Sequence, residues 1–313
     1  MELAYGVEGL KKDNSSLITV GTFDGIHHGH QSIIRYLVDR AQRKGGTSVA
    51  LSFDPHPRQV LTGEPVPMLT TIEERGALFE ALGLDRFIVV PFTEAFAATS
   101  ARDFVVALLV EQVGMQEIVI GYDHGFGKGR EGNSDLLQQL GADYGFSVDV
   151  VPAQILEQGV VSSSRIRELL AVGEVGTAGR LLSRPYSLMG TVVHGDGRGK
   201  TIGYPTANIA VANPNKVVPK QGVYAVHVRV GDAPELHGAM MNVGVRPTFA
   251  NPDKKPLQTL EIHIFDLDAD LYGTRLTVDF VKRIRDEQKF NSIDALIKQL
   301  SKDEARCRAE LKL

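Results

Sequence analysis

Residues 17–31 read LITVGTFDGIHHGHQ. A β-branched run, LITVG, breaks at Gly21, and a helical pattern begins a few residues later. The turn between them carries Asp24, Gly25, His27, His28, Gly29 and His30. A strand, a tight turn and a helix in that order open a βαβ unit. The turn then lies at the C-terminal end of a parallel strand, where open α/β sheets bind their ligands. Gly29 lets a ligand approach the backbone closely. His30 stands at the helix start, where the helix N-terminus also attracts phosphate. Histidines placed there can offset charge on a phosphoryl group in transfer, a reaction governed by positioning and electrostatics. Two blander readings compete: a surface turn with incidental histidines, or a metal site. Three of the nine histidines within four residues weigh against the first. Imidazoles crowded into one turn do not converge easily on one ion, which weighs against the second.

The pattern continues outward. TSVALSF (47–53), RFIVVPF (86–92), EIVIG (117–121) and SVDVVP (147–152) are further short apolar runs. Between them lie helical segments. Ile33, Ile34, Leu37, Val38 and Ala41 recur at helical spacing until Gly45-Gly46 stops them. Thr71 with Glu74, and Ser100 with Asp103, read as capping boxes. Strands alternating with helices imply an α/β domain on a parallel sheet, and runs such as IVV fit burial on both faces.

Beyond about residue 183 the texture changes. TVVHG (191–195), GVYAVHVRV (222–230), LHGAMMNVG (236–244), TLEIHIF (259–265) and TRLTVDFV (274–281) are strands separated by turns, without helices. Several short strands in succession predict a small antiparallel barrel or sandwich. A last helix closes the chain, with Asn291 as its cap and Ile293, Leu296, Ile297, Leu300, Cys307 and Leu311 along one stripe. The boundary is expected near SRPYS (183–187), giving domains 1–183 and 184–313.

Composition narrows the function. The chain has 313 residues, 43% of them hydrophobic and 23% charged, with a net charge of −4. That is ordinary for a soluble globular protein of two domains. The acidic balance and the lack of a basic run disfavour nonspecific nucleic-acid binding. The single cysteine, Cys307, excludes an intrachain disulfide and a cysteine metal cluster. The N-terminal MELAYGVEGLKKDNSS lacks a signal peptide's apolar core, and no run has the roughly 18 apolar residues of a membrane span. A cytoplasmic protein with no membrane partner is the expectation.

HGDGRGKT (194–201) invites comparison with a P-loop. That motif needs Gly, four residues, then Gly-Lys-Ser/Thr, with a helix after it. Counting back from Gly199, the required glycine falls on His194. Thr201 leads into IGYPTAN, whose Gly203 and Pro205 break a helix. The stretch is a glycine-rich loop without the P-loop scaffold.

These residues carry a resemblance. HHGH fits the His-x-Gly-His signature of the nucleotidyltransferase superfamily. With SFDPHP (52–57), GYDHGFGKGREGN (121–133) and VSSSRIRELL (161–170), the first half resembles the FAD synthetase module of bacterial bifunctional riboflavin kinase/FAD synthetases. YPTAN (204–208), NVGVRPTF (242–249) and LEIHIFDLDADLYG (260–273) resemble their riboflavin kinase module. The resemblance implies a Rossmann-like parallel-sheet nucleotidyltransferase domain, followed by a small antiparallel β-barrel with a terminal helix. It implies phosphorylation of riboflavin to FMN by Mg-ATP, releasing ADP, then adenylylation of FMN to FAD, releasing pyrophosphate.

Residue by residue, the resemblance makes His27 and His30 the catalytic histidines, with Asp24, Gly25 and Gly29 in their turn. It places Asp123, Ser163, Ser164 and Arg167 at the nucleotide. Relatives more often carry Ser-Ser-Thr where this chain has Ser-Ser-Ser, and Ser164 keeps the hydroxyl. Arg167 would offer phosphate a planar fork. Phe53, Asp54 and His56 would face flavin, although Asp54 and His56 also read as turn-formers. In the second module, Gly195, Gly197, Gly199 and Lys200 would form a loop over ATP's phosphates. Thr206 and Asn208 would hold Mg²⁺, a hard cation that takes oxygen ligands. PTAN alone also reads as a β-turn. Glu261 would be the general base. Arg283, Arg285 and Phe290, in RIRDEQKF, resemble the flavin-side segment. Two alternatives stay open: one active module only, or a non-catalytic flavin- or RNA-binding protein on the same folds.

Overall fold

SLITV is apolar on both faces, so the strand it forms has no side for water. It lies in the middle of a six-stranded sheet whose strands are all parallel. The computed structural model describes residues 1–122, 125–152, 155–156, 159–195, 199, 202–246 and 257–313. They form two compact units, Met1–Ser163 and Ser164–Leu313.

The strands of this sheet, in the first unit, are β1 (Glu2–Tyr5), β2 (Ser16–Val20), β3 (Thr47–Asp54), β4 (Arg86–Pro91), β5 (Met115–Gly121) and β6 (Ser147–Val151). Their order is β1-β4-β3-β2-β5-β6. Successive strands run outward from β2 on one side and from β5 on the other, so the topological switch lies between β2 and β5. The five expected strands occupy their places. The sixth, β1, is a short edge strand of mostly exposed residues, and it gives no apolar run to read.

Helix α1 (His28–Lys44) buries Ile34, Leu37, Val38 and Ala41 against the sheet. Gly45 ends it in the left-handed region at φ 63°, a conformation that costs glycine little. Helix α2 (Pro57–Thr62) is a short piece after β3, and α3 (Ile72–Ala81) opens with the full reciprocal capping box of Thr71 and Glu74. The Ser100 cap also holds, its hydroxyl accepting from Asp103 N. The helix it opens continues differently from the expectation. Phe104–Val113 winds with i→i+5 bonds as a π-helix, closed by Gly114 N donating to Leu109 O at 3.0 Å. FVVALLVEQV is apolar on nearly every side, so its periodicity does not report how tightly it winds.

In the second unit, α4 (Ser163–Val172, its first residue shared with the first unit) and α5 (Val175–Leu182) precede the strands. Strands β7 (Tyr186–Val193), β8 (Ala207–Ala210), β9 (Gly222–Val230), β10 (Leu236–Arg246), β11 (Leu257–Ile264) and β12 (Arg275–Arg285) close into an antiparallel barrel in the order β8-β11-β10-β9-β12-β7. Tyr224, Val226 and Val228 on one face of β9 are fully buried, as their alternation predicts. Val223 and Ala225, on the opposite face, pack under the terminal helix α6 (Ile293–Leu311) with Cys307 and Leu311. The N-cap of α6 is Ser292, not Asn291: the Ser292 hydroxyl accepts from Ala295 N at 3.1 Å. Asn291 and Ser292 are both good caps, and sequence alone does not separate neighbours of equal propensity.

Candidate functional site

The turn after β2 is strained. Phe23 (φ 48°) and Ile26 (φ 39°) hold left-handed backbone, with Gly25 (φ 85°) between them. A side chain in that region costs about 1–3 kcal/mol and persists only where the surroundings fix it. Here five clasps do so. The buried Asp24 carboxylate accepts from the amides of Leu69 and Thr70 at 2.9 Å. Gly25 N donates to Thr70 Oγ1 at 2.8 Å. Ser163 Oγ donates to Asp24 O at 2.8 Å. Gln31 Nε2 donates to Ile26 O at 3.0 Å. Arg75 Nη1 and Ser52 Oγ both donate to Thr22 O, at 2.8 and 3.1 Å.

The clasped turn presents the two histidines as a pair. His27 caps α1, its Nδ1 accepting from His30 N at 3.3 Å. The imidazoles stack with centroids 3.7 Å apart and planes 16° from parallel, and Phe23 meets His30 edge-on. Burial first, then the charges of His27 and Arg75, hold the His30 imidazole well below the usual histidine range. Among the described residues its Nδ1 is buried without a hydrogen-bond partner.

His30 opens onto a cavity of about 540 Å³ at the C-terminal ends of the strands, lined by Val20, Phe53, Phe92 and Gly121 among others. Phe53, Phe92, Phe96, Phe104 and Phe126 make a continuous aromatic wall, with neighbouring ring centroids 5.4–6.4 Å apart. Such a wall suits a planar aromatic ligand, and the histidine pair suits an anion beside it.

Of the residues expected here, His30, Phe53 and His56 line the cavity, and His56 also caps α2. Asp24 and Gly25 build the floor of the turn. Gly29 faces the His27 ring, which a Cβ there would touch at 3.4 Å. Asp54 is exposed and off the cavity wall. Ser163 clasps the turn through Asp24 O. Ser164 and Arg167 lie on α4, in the second unit. Asp123 lies outside the described residues.

The barrel holds a second cavity, of about 280 Å³. Its chemistry comes from strand register. Asn208 on β8 pairs with Glu261 on β11, and Glu261 pairs with Asn242 on β10. Directly opposed antiparallel residues share a face, so the three side chains form one polar rung across three strands. Glu261, Asn242 and Thr206 line the cavity, together with Gly199, His263, Glu287 and Phe290. The glycines are fitted to the PTAN pair. A Cβ on Gly195 would lie 2.0 Å from Asn208 Nδ2, and one on Gly199 would lie 2.2 Å from Tyr204 O and 3.2 Å from Thr206 Oγ1. His263 Nδ1 bonds Pro205 O at 2.8 Å and fixes the same segment.

The barrel thus brings Gly199, Thr206, Glu261, Arg285 and Phe290 into one wall, with Asn208 in the rung beside them. Arg285 is already engaged by the buried Asp303, at 2.6–3.0 Å, and lies over the Phe290 ring. Arg283 is not on the cavity wall; it bonds Gln221 O and Asp286. Gly197 and Lys200 lie outside the described residues. Sequence reading missed Arg75, Asn242, His263 and Glu287. His263 was findable, because it shares the polar face of Glu261. Arg75 was not, because IEERG looks like a solvated helix start.

Among the described residues, no helix is long and apolar enough to cross a membrane, and no cluster of three or more histidine, cysteine or acidic side chains is arranged for a metal ion. The FAD synthetase family matches residues 10–165 and the riboflavin kinase family residues 182–311. The chain is 37% identical over 310 residues to a bifunctional riboflavin kinase/FMN adenylyltransferase of Pseudomonas fluorescens, covering 99% of this chain and 97% of that one. It is 39% identical to one of Listeria monocytogenes, covering 95% and 93%. A crystal structure of a protein named macrolide-efflux protein from Streptococcus pneumoniae superposes with a TM-score of 0.88 at 32% identity, over 98% of this chain and 99% of that one. With relatives of this identity over nearly its whole length, the chain belongs to the bifunctional riboflavin kinase/FMN adenylyltransferase family.

Proposed function

We propose that this chain makes FMN and FAD at two separate sites. At the barrel site, Glu261 takes the proton from the 5′-hydroxyl of riboflavin as that oxygen attacks the γ-phosphorus of ATP, and ADP leaves. Gly195, Gly197, Gly199 and Lys200 cover the phosphates. Thr206 and Asn208 carry side-chain oxygens, a donor type suited to Mg²⁺, and the absence of side chains on Gly195 and Gly199 leaves room for them. A bound Mg²⁺ would neutralise charge on the phosphates. Phe290 flanks the flavin, and Arg285, braced by Asp303, holds that wall.

At the first site, the phosphate of FMN attacks the α-phosphorus of ATP and pyrophosphate leaves. His27 and His30 stabilise the charge that builds on the phosphates. The aromatic wall, including Phe53, receives the isoalloxazine ring. Asp123, Ser164 and Arg167 serve the nucleotide. We place the functional boundary between residues 183 and 184, close to where the riboflavin kinase match begins at 182. A cytoplasmic location fits a buried, free Cys307 and the demand for ATP.

The observation that carries this reading is the barrel wall. Gly199 with Thr206, Glu261, and Phe290 come from three separate stretches of sequence and line one cavity. The test is a time course with purified protein, riboflavin, ATP and Mg²⁺, resolving the flavins by chromatography. FMN first and FAD after it is the expected result. A folded sample that makes neither overturns the proposal.

A further inference from the structure

Arg75 is among the largest fully buried side chains of the described residues, only 2% exposed. It points from α3 to the turn that carries the histidines. Its Nη1 closes a triangle with Thr22 O at 2.8 Å and Ser52 Oγ at 3.0 Å, and Ser52 Oγ itself donates to Thr22 O. Thr22 O belongs to the peptide entering Phe23, whose backbone is left-handed. The Phe23 ring packs edge-on against His30 at 5.3 Å and against Phe79 at 5.6 Å. Arg75 therefore fixes the peptide that aims Phe23, and Phe23 supports His30. The Arg75 Nε is buried with no partner among the described residues. A buried guanidinium so incompletely bonded is costly, and a neutral side chain could fill the same space.

Charge gives the position a second consequence. The charged groups around Arg75 are Asp24 below the turn, Asp54 at the end of β3 and Glu74 on α3; those acting on His30 are His27 and Arg75. The stacked imidazoles already disfavour a shared positive charge, and a fixed cation nearby adds to that.

We propose that Arg75 is a positioning residue for adenylyl transfer: it locks the Thr22–Phe23 peptide and, through the Phe23 ring, sets the His30 imidazole. The proposal rests on the adenylyl-transfer reading of this site.

The test uses the full chain with Arg75→Met and Arg75→Lys. His30 is titrated by NMR of ring-labelled histidine and assigned by comparison with His30→Gln. FAD formation from supplied FMN is measured beside FMN formation from riboflavin, which reports the second unit, and urea unfolding, which reports whether the first unit is folded. In Arg75→Met the His30 midpoint should rise by about 0.5–1 pH unit. In Arg75→Lys, which keeps the charge, it should stay near wild type. FAD formation should fall at least ~10-fold in both, because an ammonium does not reproduce the planar fork and misplaced groups lose rate steeply. FAD formation by Arg75→Met within about twofold of wild type, or His30 ring resonances unmoved from wild type, overturns the proposal. If Arg75→Met does not fold, FAD formation by Arg75→Lys within about twofold of wild type overturns it. A wild-type chain that makes no FAD sinks the functional reading instead, while the titration still decides whether Arg75 controls His30.

Discussion

His27 and His30 lie face to face, ring centroids 3.7 Å apart, while the Nδ1 of the first accepts from the backbone amide of the second. The pair is thus held by the helix start itself. His30→Ala removes the member that lines the cavity and leaves the cap. FAD formation from FMN should fall by about 100-fold or more, the usual loss for one electrostatic stabiliser. FMN formation from riboflavin should be unchanged. Comparable loss in both activities would show that this site is misplaced.

The same pair makes stability depend on pH. Burial and neighbouring cations lower the His30 pKa in the folded state, so between that value and about 6.5 the unfolded chain binds more protons. The stabilisation is complete above 6.5 and is lost as pH falls through the window. Urea unfolding of the first unit should lose more stability between pH 7.5 and 5.5 in wild type than in His30→Gln, by up to about 1.4 kcal/mol per pH unit. Equal slopes would contradict the burial of this ring.

Glu261 stands in the middle of the rung Asn208–Glu261–Asn242. Glu261→Gln keeps the shape and the rung and removes the base. Riboflavin phosphorylation should drop by about 10²–10⁴-fold, while FAD formation from supplied FMN continues. A kinase rate near wild type would assign the base elsewhere.

Gly195 has no room for a side chain, because its absent Cβ would overlap the Asn208 amide. Gly195→Ala should displace Asn208 and raise the Mg²⁺ concentration needed for half-maximal FMN formation by about tenfold, equivalent to ~1.4 kcal/mol. An unchanged Mg²⁺ requirement would separate Asn208 from the metal.

Cys307 is buried beneath β9, and burial first, then Asp303, pushes its thiol up to about 12. The thiolate is the reactive form. At pH 8 the folded protein should resist an aromatic disulfide reagent and react fully in denaturant. Rapid labelling of folded protein would mean that α6 does not stay docked.

The sequence made the frame legible where side-chain pattern and backbone agree. Ile34, Leu37, Val38 and Ala41 announced α1, and Tyr224, Val226 and Val228 announced a barrel strand. In the barrel, Gly199, Thr206, Glu261, Arg285 and Phe290 were named from the sequence and line one cavity, while Asn242, His263 and Glu287 were not, because their place depends on strand register. At the first site the sequence pointed to His30, Phe53 and His56 on the cavity wall and to Asp24, Gly25 and Ser163 in the turn, but not to what braces that turn. Arg75, Ser52 and Thr70 act on the turn through tertiary contacts to main-chain atoms, and residue type does not report such contacts. Asp24 illustrates the limit: a carboxylate in a phosphate-binding turn suggests a ligand, yet its oxygens are spent on the amides of Leu69 and Thr70.

The five clasps also impose an order in time. Ser163, which holds Asp24 O, comes 139 residues after it in the chain. A nascent chain therefore carries HHGH long before it can shape it. The last clasp of this turn closes only once nearly the whole first unit has been made.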